Sequence, residues 1–192
     1  MIAIVKYNGG NAVSIQNALD RLGYKSCITN DIRIIQNADK VIFPGVGQAS
    51  TAMQFLCKHK LDKELIKLTQ PFLGICLGLQ LMCEYSEEGN TTCLGIFPSK
   101  VKRFIGSIKV PHMGWNTLKF GNQPIFKDLD NKNDMYFIHS YYAEVCKNTT
   151  AICSYEGEFS AALQKDNFFA TQFHPEKSGK FGERMLKNFC IL

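Results

Sequence analysis

Phe72-Leu73-Gly74-Ile75-Cys76-Leu77-Gly78 decides how this chain is read. The apolar run Phe72–Ile75 has the length of a buried strand, and a helix is expected from about residue 77 to 85. A cysteine therefore stands where a strand becomes a helix, with a glycine two residues before it and another two after it. Such glycines let a chain turn sharply without Cβ clashes, which is the logic of the G-x-S-x-G elbow with Cys in place of Ser. At a helix N-terminus the dipole favours a thiolate. The backbone N–H of Leu77 would point at a developing oxyanion. A buried cysteine in a glycine-rich connection explains the same pentapeptide, so a second group is needed to choose between them.

Gln172-Phe173-His174-Pro175-Glu176 supplies it. Residues two apart in an extended chain face the same way, and Pro175 biases His174 toward extended geometry. His174 and Glu176 can then point together into one site, with the carboxylate orienting the imidazole. Cys76, His174 and Glu176 form the expected catalytic set: a nucleophile, its base and the group that orients the base.

Outward from the elbow, the first half of the chain alternates. Ile2–Val5 reads as a buried strand. Residues 11–22 carry Val13, Ile15, Ala18, Leu19 and Leu22 at helical spacing, with Asn11 as cap and Gly23 as stop. Further strands are expected at 24–29 and at Lys40–Phe43, and helices at 49–59 and 62–68. This rhythm predicts a parallel sheet with helices on both faces. In the second half, strands are expected at 101–104 and 107–110 as a hairpin, and at 135–139, 150–155, 160–164 and 168–173. A last helix is expected over 179–189. The expectation is a single α/β domain over residues 1–192, with a mostly parallel central sheet, flanking helices and additional antiparallel strands.

Composition excludes several alternatives. The chain has 192 residues, 45% hydrophobic and 20% charged, with a net charge of +5. Its apolar runs are far shorter than the ~20 residues that span a bilayer. Lys6 cuts the first apolar run short, unlike a signal peptide, so a cytoplasmic protein with no membrane contact is expected. The basic residues are scattered rather than clustered, so no nucleic-acid partner is expected. Of eight cysteines none forms a C-x-x-C, and the four histidines do not cluster at metal-ligand spacing. Neither a metal nor a cofactor is expected, and most cysteines read as small core residues. The sequons at Asn90 and Asn148 read as chance in a cytosolic chain.

Gly74-Ile75-Cys76-Leu77-Gly78-Leu79-Gln80 together with His174-Pro175-Glu176 resembles the class I glutamine amidotransferases, a family of flavodoxin-like α/β fold. Five further segments narrow the resemblance: 43–47 (FPGVG), 86–88 (SEE), 111–116 (PHMGWN), 139–141 (HSY) and 164–167 (QKDN). Their order is similar to that in the glutaminase subunits of imidazole glycerol phosphate synthases, of histidine biosynthesis. The resemblance covers essentially the whole chain.

It implies that Cys76 attacks the side-chain amide of L-glutamine, that His174 protonates the leaving ammonia, and that water cleaves the resulting glutamyl thioester. It implies that Val46, in the loop Gly45-Val46-Gly47, and Leu77 supply oxyanion-hole N–H groups. Gln80 and Glu88 would hold the α-carboxylate and α-amino region of the substrate, helped by Ser140 and Tyr141. A barrel-shaped cyclase subunit would dock as the other half of a heterodimer, against Asn11, Ser14, Tyr136 and Lys177, and use the ammonia to make imidazole glycerol phosphate and AICAR. Lys6 departs from the Asp found in many relatives, away from the triad. The same local chemistry could feed another synthase, such as a sugar-amidating one. A silent regulatory subunit and a cysteine peptidase are the other readings; the intact triad argues against the first, and Gln80 with the Pro-Gly-Val-Gly loop against the second.

Overall fold

A computed structural model describes residues 1–9, 11–106, 109–131 and 133–192. The chain runs β1 (Ile2–Val5), α1 (Ala12–Arg21), β2 (Ser26–Thr29), α2 (Ile32–Gln36), β3 (Lys40–Phe43), α3 (Ala49–Lys58), α4 (Leu61–Leu65), β4 (Phe72–Ile75) and α5 (Leu77–Met82). It continues through β5 (Tyr85–Ser86), β6 (Thr91–Thr92), β7 (Lys100–Arg103), β8 (His112–Thr117), β9 (Lys119–Phe120), β10 (Asp134–His139), β11 (Tyr141–Ala143), β12 (Thr149–Ser154), β13 (Glu158–Lys165) and β14 (Phe168–Thr171), and ends in α6 (Gly179–Cys190).

Among the described residues the main sheet has eight strands in the order β2-β1-β3-β4-β14-β13-β12-β9. From β2 to β14 the neighbours are parallel, and from β14 to β9 antiparallel. The mixed sheet expected from the sequence is therefore present. Alternation along each strand divides the core in two. Ala3, Val5, Val41, Phe43 and Phe72 pack with α3, α4 and α5 on one face. Ile2, Ile4, Ile42, Leu73 and Ile75 pack with α1 and α6 on the other. Burying each face under amphipathic helices is what makes a parallel sheet of short strands stable.

The order of the strands positions the site. β4 and β14 are parallel neighbours, with Ile75 opposite Thr171. The chain leaves both strands at the same edge, so the elbow and the His-Pro-Glu segment emerge side by side.

Several local expectations change. Tyr85–Ser86 is a strand, because α5 ends at Met82 and Cys83 turns extended. Strand β7 pairs with β5 and β11; residues 107 and 108 of the expected hairpin lie outside the described residues, and Val110 belongs to no strand. β8 and α2 were not anticipated. β8 pairs antiparallel with β10, placing His112 opposite His139. Asn11 occupies the N-cap position of α1 but makes no side-chain cap hydrogen bond; its amide turns toward Glu176 instead. Gly23 does end α1, at φ 82°. All eight cysteines are free, and Cys57 is exposed rather than in the core. Among the described residues, no helix is long and apolar enough to cross a membrane, and no three His, Cys, Asp or Glu side chains group to hold a metal.

Candidate active site

Cys76 has a backbone that few non-glycine residues adopt, with φ 54° and ψ −107°. Such a conformation costs on the order of 1–3 kcal/mol and persists only where its surroundings fix it. Here the Cys76 N–H donates to the Thr171 carbonyl at 2.7 Å, and the Cys76 carbonyl accepts from the Gln80 N–H at 3.2 Å. Gly78 answers for the close packing around the elbow: a Cβ there would overlap the Phe43 carbonyl oxygen. The sharp strand-to-helix turn expected from the sequence is present, with Cys76 at its apex.

Behind the cysteine lies the acid–base pair. His174 Nδ1 and Glu176 Oε1 are 2.8 Å apart, and both side chains are fully buried. A second group grips the carboxylate, because the Asn11 amide N–H₂ donates to the same Glu176 oxygen. His174 is held through its backbone as well. Its N–H donates to the Tyr136 carbonyl at 2.9 Å, and its carbonyl accepts from the Ser178 hydroxyl at 2.7 Å. Burial disfavours a charged imidazole, but the negative Cys76 sulfur and the Glu176 carboxylate outweigh it, and the His174 pKa is pushed up to about 10. His174 is thus suited to hold a proton ready for a leaving group.

Cys76 opens into a cleft of about 370 Å³, a size that suits a small polar metabolite, with His174 and Glu176 buried behind it. Gly45, Val46 and Gly47 form one wall with Cys76 and Leu77. Gln80, Glu88, Ser140 and Tyr141 line the far side, and Lys177 stands at the exposed rim. The Glu88 carboxylate accepts the Ala49 N–H at 2.7 Å and so caps α3 as well as facing the cleft. Its partial burial raises its pKa, an effect the Ala49 hydrogen bond partly offsets. Gln80 spends both amide protons inside the protein, on the Tyr141 carbonyl at 2.7 Å and on Gln172 Oε1 at 3.1 Å. Only its carbonyl oxygen remains to meet a ligand. Of the remaining predicted residues, Ser14 is exposed on α1, and Tyr136 packs edge-on against exposed Trp115 with ring centroids 5.9 Å apart.

The two expected oxyanion donors do not both face the cleft. The Leu77 N–H donates to the Gly45 carbonyl at 3.4 Å instead of standing free. In a trans peptide the N–H opposes the C=O, so the Val46 N–H points away from the cleft. The base of the loop is pinned by the buried Tyr7 hydroxyl, which donates to the Pro44 carbonyl at 2.8 Å. Glycines on both sides of Val46 leave the peptide room to rotate, and Gly47 already sits at φ 121°.

A nucleophile elbow, a buried His–Glu pair and a glycine-rich loop around a small cleft define a cysteine-dependent amidotransferase. A model of the class-I glutamine amidotransferase family matches residues 4–192, and the chain belongs to that family. More particularly, it is similar to imidazole glycerol phosphate synthase subunit HisH of Bacteroides fragilis, at 54% identity covering 100% of this chain and 99% of that one. The same subunit of Buchnera aphidicola is 46% identical over 98% of both chains. Among solved structures, a glutamine amidotransferase superposes with a TM-score of 0.78 at 17% identity, covering 100% and 98% of the two chains. PurLQS from Thermotoga maritima superposes with a TM-score of 0.71 at 15% identity, covering 99% and 97%. Those two likenesses speak for the fold.

Proposed function

We propose that this chain is the glutaminase subunit of an imidazole glycerol phosphate synthase, hydrolysing L-glutamine to glutamate and ammonia for a cyclase subunit in histidine biosynthesis. The observation that carries the chemistry is the buried His174–Glu176 pair, set 2.8 Å apart behind a cysteine at a strand-to-helix apex. Likeness to HisH subunits along the whole chain supports the pathway.

The Cys76 thiolate attacks the side-chain carbonyl carbon of glutamine, and the carbonyl π electrons move to oxygen. That charge needs two N–H donors, from Leu77 and Val46, so the Gly45–Val46 peptide turns over to present them. His174 gives its proton to the amide nitrogen, the C–N bond breaks and ammonia leaves. Water then attacks the glutamyl thioester while neutral His174 takes its proton, and the C–S bond breaks to restore the thiolate. Glu176 keeps the imidazole oriented and supports its charge through both half-reactions. The Gln80 carbonyl oxygen and the Glu88 carboxylate accept from the substrate ammonium group, and backbone near Ser140 and Tyr141 completes the pocket.

The 192 residues act as one cytoplasmic domain. A barrel-shaped cyclase subunit docks at the exposed rim where Lys177 stands, against a surface that includes Asn11, Ser14 and Tyr136, so that ammonia passes between subunits without reaching solvent. Co-expression with a cyclase subunit tests the reading. Glutamine should drive product formation in the complex; Cys76→Ala should abolish this and leave ammonium-driven synthesis intact. Glutamine-dependent synthesis by the folded Cys76→Ala complex, or failure of the cyclase to couple, would overturn it.

A further inference from the structure

Gln172 is fully buried one strand from the elbow, where β14 gives way to the His-Pro-Glu segment. Its amide nitrogen lies 3.5 Å from the Cys76 sulfur. We propose that Gln172 is a further catalytic residue, a fixed N–H donor to the Cys76 sulfur that stabilises the negative charge it carries as nucleophile and as leaving group. The inference rests on the reading of Cys76 as the nucleophile.

An amide can face a sulfur with either end, and only the N–H₂ end stabilises negative charge. Its contact with Gln80 sets the choice here. Gln172 Oε1 accepts from Gln80 Nε2 at 3.1 Å, and this turns Gln172 Nε2 toward the sulfur. Gln80 is held in turn by the Tyr141 carbonyl, 2.7 Å from the same nitrogen. That carbonyl also accepts from His139 Nδ1 at 2.8 Å. His139 Nε2 therefore carries no proton and accepts from His112 Nδ1 at 3.0 Å. His112 Nε2 accepts from Asn116, whose own orientation is fixed by donation to the Ser154 carbonyl at 3.1 Å and acceptance from the Thr117 N–H at 2.9 Å. The Tyr141 carbonyl can only accept, so it alone fixes the Gln80 amide and through it Gln172; the His139, His112 and Asn116 contacts fix the imidazole tautomers beside it.

The chemistry needs such a donor twice. Before attack it favours the thiolate over the thiol. In the second half-reaction sulfur leaves carbon as a thiolate, and an N–H already aimed at it stabilises the departing charge. No proton is transferred to or from Gln172, so the reaction's proton balance stays with His174 and water. A hydrogen bond to a charged group is worth enough to change a rate by roughly 10- to 100-fold.

The test uses the chain bound to its cyclase subunit, with Gln172→Met and Gln172→Glu beside Cys76→Ala. Thermal unfolding and ammonium-driven synthesis report folding and docking; if Gln172→Glu does not fold, Gln172→Met carries the test. We expect kcat for glutamine to fall about 10-fold or more, alongside a smaller rise in KM through Gln80, which Gln172 also holds. Alkylation of Cys76 by iodoacetamide at neutral pH should slow and recover at higher pH, and glutamyl-enzyme should accumulate in rapid-quench mass spectrometry. Wild-type alkylation in a folded variant, or a rise in KM alone, would overturn the inference. Cys76→Ala separates the two levels: glutaminase surviving there removes the nucleophile itself, whereas a dead Cys76→Ala beside normal Gln172 variants removes only the role of Gln172.

Discussion

The Leu77 N–H donates to the Gly45 carbonyl at 3.4 Å, so a donor needed by the transition state is occupied by the protein itself. Losing one oxyanion donor costs about 10²–10³ in rate. The isolated chain should therefore hydrolyse glutamine at least about 100-fold more slowly than the complex loaded with its cyclase ligand. Steady-state glutaminase assays of the chain alone, with partner, and with partner plus ligand measure this. Equal rates in all three would rule out an occupied hole as the resting state.

Glu176 is expected to matter less than Cys76. It positions His174 from 2.8 Å, and the Asn11 amide steadies it. Glu176→Gln should lower kcat in the complex by one to two orders of magnitude, short of the loss from removing the nucleophile, because partial triads retain some catalysis. Asn11→Ala should lower kcat in the same direction by a smaller factor. Activity of Glu176→Gln equal to wild type would remove the carboxylate from the mechanism.

Lys177 follows the catalytic carboxylate directly and stands exposed at the rim of the cleft. Pairing with a carboxylate of the cyclase subunit would bury it. Truncating one half of a buried pair costs ~2–5 kcal/mol, so Lys177→Ala should weaken docking by at least about 30-fold. Calorimetric titration with the partner decides the point; an unchanged dissociation constant with unchanged activation would leave Lys177 a solvated charge.

The buried His112–His139 pair makes a prediction about acid. Burial lowers the His112 pKa to about 4; burial and neighbouring His112 and His174 lower that of His139 to about 3, against the opposing Tyr141 hydrogen bond. Below pH ~6.5 the unfolded chain binds protons that the folded chain refuses, so stability falls as pH falls. The fall should run from about pH 6.5 down to the folded values, at up to ~1.4 kcal/mol per pH unit for each histidine. Chemical denaturation between pH 7 and 4 should give a shallower slope, by about one proton, for His112→Phe. Parallel slopes would show that the pair is not kept neutral by the fold.

The core strands, most of the helices, the turn at Cys76 and the pairing of His174 with Glu176 are legible in the sequence because their signals are local. An apolar four-residue run, two glycines around a cysteine and an i, i+2 His-Glu pair each declare their geometry within a few residues. What depended on distant contacts did not show. His112 and His139 gave no sign of pairing, since only the antiparallel register of β8 and β10 brings them together. Asn11 read as a helix cap and partner contact, but Glu176, far along the chain, claims its amide. Gln172 stands beside His174 in the sequence with no local sign of a role, because nothing local says which end of an amide meets a sulfur. The closed oxyanion loop was illegible for a related reason: glycines report freedom, not the state chosen.

The neighbouring placement of β4 and β14 bears on when this protein can first work. Ile75 meets Thr171 only after almost 100 residues of intervening chain have been made. Long-range strand pairing is slow relative to local structure, and here it is also what sets the Cys76 backbone, through the Thr171 carbonyl. A nascent chain still held by the ribosome at its C-terminal third carries the cysteine but neither its histidine nor the strand that strains it. A chain ending anywhere before residue 168 carries Cys76 without the histidine that pairs with it and without the strand that sets its backbone.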